Sequence, residues 1–271
     1  MSFRLAASNI AWAPSDDDAA ARILRDVGFT GVEIAPTTRW ESPIEASKKE
    51  IAEYRTAWKK RGLEIVALQS LLFGRNDLEL FGNTIARRAL KEYLTGLIEL
   101  AAGLGATALV FGSPKNRKRG KMPMAEATEI AAEFFREMGA MAAAHQCAIC
   151  IEPNPPSYGC DFVNTTAEAV SLVETIAGRG IKVQGDLGAI LSSGAEVSAD
   201  IRLAGGWLGH FHVSEPELVP IRAESPHDAV AAALRTAHYR GWVSIEMKRP
   251  QTDALQSLER AAAVVKAAYG S

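Results

Sequence analysis

Cysteine is scarce, with three residues in a chain of 271. That is too few for a disulfide framework at this length, so a reducing, cytoplasmic setting is expected. No apolar run approaches the roughly 20 residues that cross a bilayer, and the start, Met1-Ser2-Phe3-Arg4-Leu5, lacks the charged and apolar regions of a signal peptide. An excess of positive charge is also missing: 30 Lys and Arg stand against 32 Asp and Glu, for a net charge of −2. With a pI near 6.2, neither a nucleic-acid partner nor a membrane surface is expected. The first apolar run is followed by Ser8-Asn9-Ile10-Ala11-Trp12 rather than a glycine-rich phosphate turn, which argues against a doubly wound nucleotide-binding sheet. No linker, low-complexity stretch or tail interrupts the chain.

What is present is a regular alternation, and 48% hydrophobic content suits a sizeable core. Eight short apolar runs, at 3–8, 31–35, 63–69, 107–111, 148–152, 182–186, 208–213 and 243–247, read as strands. Longer Ala- and Leu-rich segments between them read as helices. The first is expected to start at Ser15-Asp16-Asp17-Asp18, a serine cap followed by an acidic first turn. Gly28, Gly62, Gly103, Gly178, Gly205 and Gly241 stand where a left-handed cap would end a helix before a strand. Eight such units predict a closed (β/α)8 TIM barrel, an α/β fold of one domain over 1–271. Helix-to-strand turns are short and strand-to-helix loops long, as at 36–43, 70–83, 113–123, 153–164 and 214–225. The functional face is therefore expected at the C-terminal ends of the strands.

Four of those ends carry metal-ligating side chains. Cys150-Ile151-Glu152-Pro153, Gln184-Gly185-Asp186, His210-Phe211-His212 and Ser244-Ile245-Glu246 close strands five to eight. A carboxylate ending a buried strand must be paired, hydrated or bound to a cation. Taken singly, each has a plain explanation: Glu152 and Glu246 can pair with a lysine or arginine, Asp186 can cap a helix, and His212 can be a satisfied core histidine. Four at matching ends are harder to explain separately. Three converging carboxylates repel one another and raise one another's pKa values, and a divalent cation resolves this. One imidazole among oxygens suits manganese, magnesium or cobalt, with zinc also compatible. Period-2 alternation places His210 below His212, Gln184 below Asp186, Cys150 below Glu152 and Ser244 below Glu246, as a supporting layer. It raises Lys248 toward the mouth. Cys147 and Cys150, despite C-x-x-C spacing, point to opposite faces of a strand and read as buried core thiols.

Ile151-Glu152-Pro153-Asn154, Gly185-Asp186-Leu187-Gly188, His210-Phe211-His212-Val213-Ser214-Glu215 and Ser244-Ile245-Glu246-Met247 resemble motifs of the sugar phosphate isomerase/epimerase family. These are xylose-isomerase-like barrels that include ketose 3-epimerases and hydroxypyruvate isomerases. The resemblance runs along the whole chain in strand order. It implies that Glu152, Asp186, His212 and Glu246 are the metal ligands, and that Glu152 and Glu246 are also the catalytic acid/base pair. Three positions depart from the ketose epimerases: Ala189 stands in place of a histidine, Leu218 of an arginine and Tyr158 of a glutamate. The metal site is kept while familiar sugar contacts are not.

Asn9, Glu33 and Gln69 at other strand ends, with Lys248, are candidate substrate contacts; rim hydrogen bonding is the plain alternative. Trp12, Trp40 and Phe73 could stack on a sugar ring or merely cover the core. His145 and His238 fall at helix ends and read as structural. The basic run at 115–121, Lys115-Asn116-Arg117-Lys118-Arg119-Gly120-Lys121, is either a solvated loop or a closure over an anionic substrate. The expected function is a metal-dependent isomerase or epimerase of a small polyhydroxy carbonyl compound (a sugar, sugar phosphate or sugar acid), acting by proton transfer through an enediolate. A homo-oligomer is compatible with this. The rivals are a dehydratase of dehydroshikimate type, an apurinic endonuclease and a non-catalytic sugar-binding protein. The endonuclease would need more histidine ligands than the five histidines here allow, together with a basic face. The dehydratase would reveal itself by an ultraviolet-absorbing product, and the binding protein by exchanging no substrate protons.

Overall fold

The structure, a computed structural model, describes residues 2–270. Eight parallel strands close in sequence order: β1 (Arg4–Ser8), β2 (Gly31–Ile34), β3 (Glu64–Leu68), β4 (Ala108–Phe111), β5 (Ala148–Ile151), β6 (Ile181–Asp186), β7 (Leu208–Val213) and β8 (Trp242–Ile245). β8 pairs back onto β1 through Arg4↔Trp242 to Ala7↔Ile245. The chain is a single TIM barrel, as the alternation predicts. Around it run the helices α1 (Asp17–Asp26), α2 (Lys48–Lys60), α3 (Thr84–Leu104), α4 (Met124–Ala144), α5 (Thr166–Ile176), α6 (Leu187–Ser193), α7 (Val197–Ala204), α8 (His227–Thr236) and α9 (Ala254–Tyr269). Among the described residues no helix is long and apolar enough to cross a membrane.

The helix ends differ in detail from the sequence reading. Ser15 lies in a 3₁₀ turn led by Pro14, and α1 begins only at Asp17. The Asp17 carboxylate accepts from Trp12 Nε1 at 2.9 Å instead of serving a cap. Gly28, Gly62 and Gly205 take left-handed φ as expected, but Gly103 lies within α3, which Gly105 closes at φ +84°. Ala177 closes α5 at φ +48°, and His238 rather than Gly241 is left-handed before β8. In all three cases the chain turns one or more residues away from the glycine expected to do it. A capping box forms at α2, where Ser47 and Glu50 satisfy each other's backbone N–H groups.

The main core lies between strands and helices. Outward strand residues such as Leu5, Ile34, Leu68, Phe111, Ile151, Phe211 and Ile245 are buried there with the inner faces of the helices. Trp12 and Trp40 belong to this layer and not to a sugar platform. Trp12 meets Trp58, and Trp40 meets Tyr54, edge to face at centroid distances of 6.5 and 5.1 Å. A smaller cluster plugs the bottom of the barrel interior: Ala6, Val66, Ala67, Ala108, Cys150 and Trp242. Cys147 thus joins the outer core and Cys150 the inner plug, so the two thiols diverge as the strand parity requires.

Two strands break strict alternation. The pairing of β2 with β3 skips Val66, and that of β6 with β7 skips Gly209. Each is a bulge that turns two successive residues inward. Gly209 has no room for a side chain, because a Cβ there would lie 2.7 Å from Cys150 Sγ and 2.6 Å from Lys182 Cβ. Above the bulges alternation resumes, so Gln69, His210 and His212 still face the barrel axis.

Candidate metal centre

The upper half of the barrel interior is polar and almost wholly buried. Glu33, Gln184, His212 and Ser244 are 0% exposed and His210 1%. At the strand ends above them, ligand atoms of Glu152, Asp186, His212 and Glu246 lie within 4.8 Å of one another. His212 is the hub: its Nδ1 stands 3.1 Å from Glu246 Oε2, 3.5 Å from Glu152 Oε1 and 3.7 Å from Asp186 Oδ2. None of these approaches has the alignment of a hydrogen bond, so Nδ1 is a buried polar atom without a partner.

The other ring nitrogen is fixed from below. His212 Nε2 lies 3.1 Å from both Glu33 oxygens. Burial alone would raise the Glu33 pKa, but His212 and His210 outweigh it and hold the carboxyl well below its usual range. An ionised Glu33 can only accept, so Nε2 carries the proton and Nδ1 faces the three carboxylates. Ser244 Oγ donates to Glu33 at 2.7 Å. His210 Nε2 comes within 3.5 Å of the same carboxylate without a hydrogen bond. Gln184, expected beneath Asp186, does lie inside the barrel, but its Nε2 donates to Gly185 O at 3.1 Å and its buried Oε1 has no hydrogen-bond partner.

Two of the carboxylates are oriented by neighbours. Asp186 caps α6 by accepting from Ala189 N at 2.6 Å, and its other oxygen accepts from Ser214 Oγ at 2.8 Å. The cap that the sequence offers as the plain reading of Asp186 is formed, and the same carboxylate still stands in the four-residue cluster. Asn154 Nδ2 donates to Glu152 Oε2 at 3.1 Å, leaving Oε1 toward His212. Gly112, facing inward above β4, makes room for Glu152: a Cβ there would fall 2.3 Å from Glu152 Oε2.

The electrostatics fit a cation. Burial pushes Glu246 up to about 7, with Glu152 and Asp186 adding to the rise and His212 opposing it. Burial would lower His212, yet Glu33 and Glu246 hold it well above the usual histidine value. With no ion bound, the ring is thus drawn to its cationic form, its second proton falling on Nδ1 among the three carboxylates, where a metal ion would supply the positive charge instead. Three carboxylates around an orphaned imidazole nitrogen form a donor set suited to a divalent ion.

The site opens into a cavity of about 430 Å³, lined by Glu152, Asp186 and Glu246 and also by Gln69 and Lys248. Tyr158, Ala189 and Leu218, the three departures from the ketose epimerases, line the same cavity. Asn9 and Glu33 do not. Asn9 is spent at the rim, donating to Thr38 Oγ1 and accepting from Ala35 N, and Glu33 lies beneath His212.

The basic loop at 115–121 does not enter the cavity either. Arg117 is 1% exposed and donates to the carbonyls of Glu152 at 2.6 Å, Val163 at 3.4 Å and Phe111 at 3.5 Å. Arg119 is tied to Asp161 and Met122. The two arginines pin the loop to the end of β5, so a charge sensor for an anionic substrate is not what they form. Sequence reasoning missed Arg117, Asn154, Ser214 and Gly112. Ser214 was within reach, since it shares parity with His212; Arg117 was not, because a charge run ordinarily reads as solvated.

A family model described as xylose isomerase-like TIM barrel matches residues 21–268. No curated protein matches the sequence. Solved structures do. D-psicose 3-epimerase with D-tagatose from Clostridium cellulolyticum H10 is 18% identical, with a TM-score of 0.83 over 99% of this chain and 100% of that one. The apo 3-keto-D-glucoside 4-epimerase from E. coli is 17% identical, with a TM-score of 0.79 over 98% and 99%. The IolI protein with a bound zinc atom is 17% identical, with a TM-score of 0.76 over 99% and 100%.

Proposed function

The chain belongs to the family of xylose isomerase-like TIM barrels, and from that premise we propose that it is a divalent-metal-dependent isomerase or epimerase of a polyhydroxy carbonyl compound, working by proton transfer through an enediolate. The observation that carries this reading is the orphaned His212 Nδ1 amid Glu152, Asp186 and Glu246, three carboxylates that line a cavity. The four would hold manganese, magnesium or cobalt; zinc, which the IolI structure contains, also fits such a set. The bound ion would polarise the substrate carbonyl and offset the charge that develops on its oxygen.

The protein's own residues supply the rest. Glu152 and Glu246 stand at the ends of β5 and β8, which are not neighbours, so they approach a bound substrate from different sides. One removes the proton beside the carbonyl and the other returns a proton. Asp186, held through both oxygens, is suited to positioning. Gln69 and Lys248 reach the cavity and would hold substrate hydroxyls. Glu33 acts through His212, and Asn9 through the rim. Lys248 is the one cation among the residues lining the cavity, which favours a neutral sugar over a phosphate ester.

The test is turnover of a panel of ketoses, sugar acids and sugar phosphates in heavy water, read by NMR, with metal content measured in the same samples. Deuterium entering a carbon-bound position of the product supports the reading. Turnover without it points to hydride shift and removes the two-glutamate mechanism. No metal taken up on titration with manganese, cobalt or zinc removes the reading altogether.

A further inference from the structure

Of the three loop aromatics that could face a sugar, Trp12 and Trp40 are core residues, whereas Phe73 is 72% exposed. It stands beside a second hollow of about 440 Å³, bounded by Leu72, Phe73, Asn76 and Lys115. This hollow adjoins the cavity over the metal centre, and Ser70, Ser113 and Pro114 line both. The junction is shaped by strained backbone: Ser70 and Ser113 take left-handed φ of +52° and +39°. Non-glycine residues hold that conformation only where their surroundings impose it, often at binding sites. Two adjoining hollows, with two serines in their shared wall, thus lie between the ligand cluster and an exposed aromatic ring.

We infer that this second hollow is a binding subsite, and that the substrate is a glycoside whose reacting sugar sits over the metal centre while a neutral pyranose ring packs on Phe73. The inference rests on the reading of the main cavity as a carbohydrate site. Its chemistry follows from the lining. A pyranose offers C–H faces to an aromatic ring and hydroxyls around its edge, and the hollow supplies both counterparts: the Phe73 ring, and the polar groups of Asn76 and Ser113, with Ser70 Oγ, which donates to Gln69 Oε1 at 3.2 Å, left to accept. An alkyl chain would leave those polar groups without partners. An anionic group would find one exposed cation, Lys115, and no built site, since Asn116 is committed to the Arg75 and Leu78 carbonyls at 2.7 Å.

The experiment is calorimetric titration of the magnesium-loaded full chain with glucose and with cellobiose, for the parent, Phe73→Ala and Phe73→Trp. Cellobiose should bind about tenfold more tightly than glucose, the scale of one aromatic contact. Phe73→Ala should erase that preference without changing glucose binding, and Phe73→Trp should keep it. Phe73 is exposed, so folding is not at issue, and sedimentation of the same samples reports on association. Equal or absent binding of the two sugars, a preference that survives Phe73→Ala, or a change in mass with no change in preference overturns the inference; the last would make Phe73 a contact between copies. The readout needs no turnover. Phe73-dependent disaccharide binding without proton exchange on any substrate would break the isomerase reading alone, whereas exchange without the preference would break this one alone.

Discussion

The two ends of the barrel interior are built from the same eight strands and hold opposite environments. At the bottom, Ala6, Val66, Ala108, Cys150 and Trp242 pack without a charge among them, apart from the Arg4 guanidinium lying 4.7 Å over the Trp242 ring. Two residues up from Ala6, Cys150 and Trp242 stand Ser8, Glu152 and Ser244, joined by Glu33 from β2 and His210 from β7, all polar and all but Glu152 buried. The lower end is defined by volume: small residues leave a space that one indole fills. The upper end is defined by donors and acceptors, since every charge there must face another or a cation. The lesson is a division of labour along each strand. Substitutions at the bottom should cost stability and spare the chemistry; those at the top should do the reverse.

The largest effect should come at the top. Glu152→Gln and Glu246→Gln should each lower kcat by about 10²–10⁴, the usual worth of a general acid or base, with Tm little changed. Metal analysis of the same preparations separates lost proton transfer from lost metal. A variant that stayed metal-loaded and fully active would remove that glutamate from the mechanism.

Trp242→Ala tests the other end. Emptying the plug should cost about 3–5 kcal/mol in chemical denaturation, as large-to-small core changes do, while leaving metal affinity unchanged in the folded protein. Metal loss as large as the stability loss would show that the two ends are not independent.

Glu33→Gln lies at the boundary and should be intermediate. Glutamine cannot fix the His212 ring as an ionised carboxylate does, and metal affinity should fall by about 10–100-fold, read by competition with a chelating dye. Unchanged affinity would mean that the ring is held by packing alone.

The smallest expectation is no change at all. Cys147, Cys150 and Cys160 are buried, and burial pushes the Cys147 thiol up to about 11. A disulfide reagent at pH 8 should label none of the three until denaturant is added. Rapid labelling of the native protein would show that the plug or outer core opens.

Local pattern carried a great deal of this protein. Period-2 runs between helical segments determined eight strands and the barrel, because each run is long enough to show its own alternation. The turn residues after each run placed Glu152, Asp186, His212 and Glu246 at the functional end. The opposite faces of Cys147 and Cys150 followed from parity alone. The tertiary structure decided what depends on two distant segments meeting. Glu33 read as a rim residue, yet closure of β2 against β3 and β1 sets it under His212, 179 positions away. Trp12 and Phe73 are both loop aromatics, and only packing against α2 separates the buried one from the exposed one. Arg117 sits in a cationic run that looks solvated, but the carbonyls it anchors belong to Phe111, Glu152 and Val163. The bulges at Val66 and Gly209 cannot be read in one strand, because a bulge is a mismatch between two. Composition and periodicity record what each segment buries, whereas a site built across a closed barrel is recorded only in which segments end up side by side.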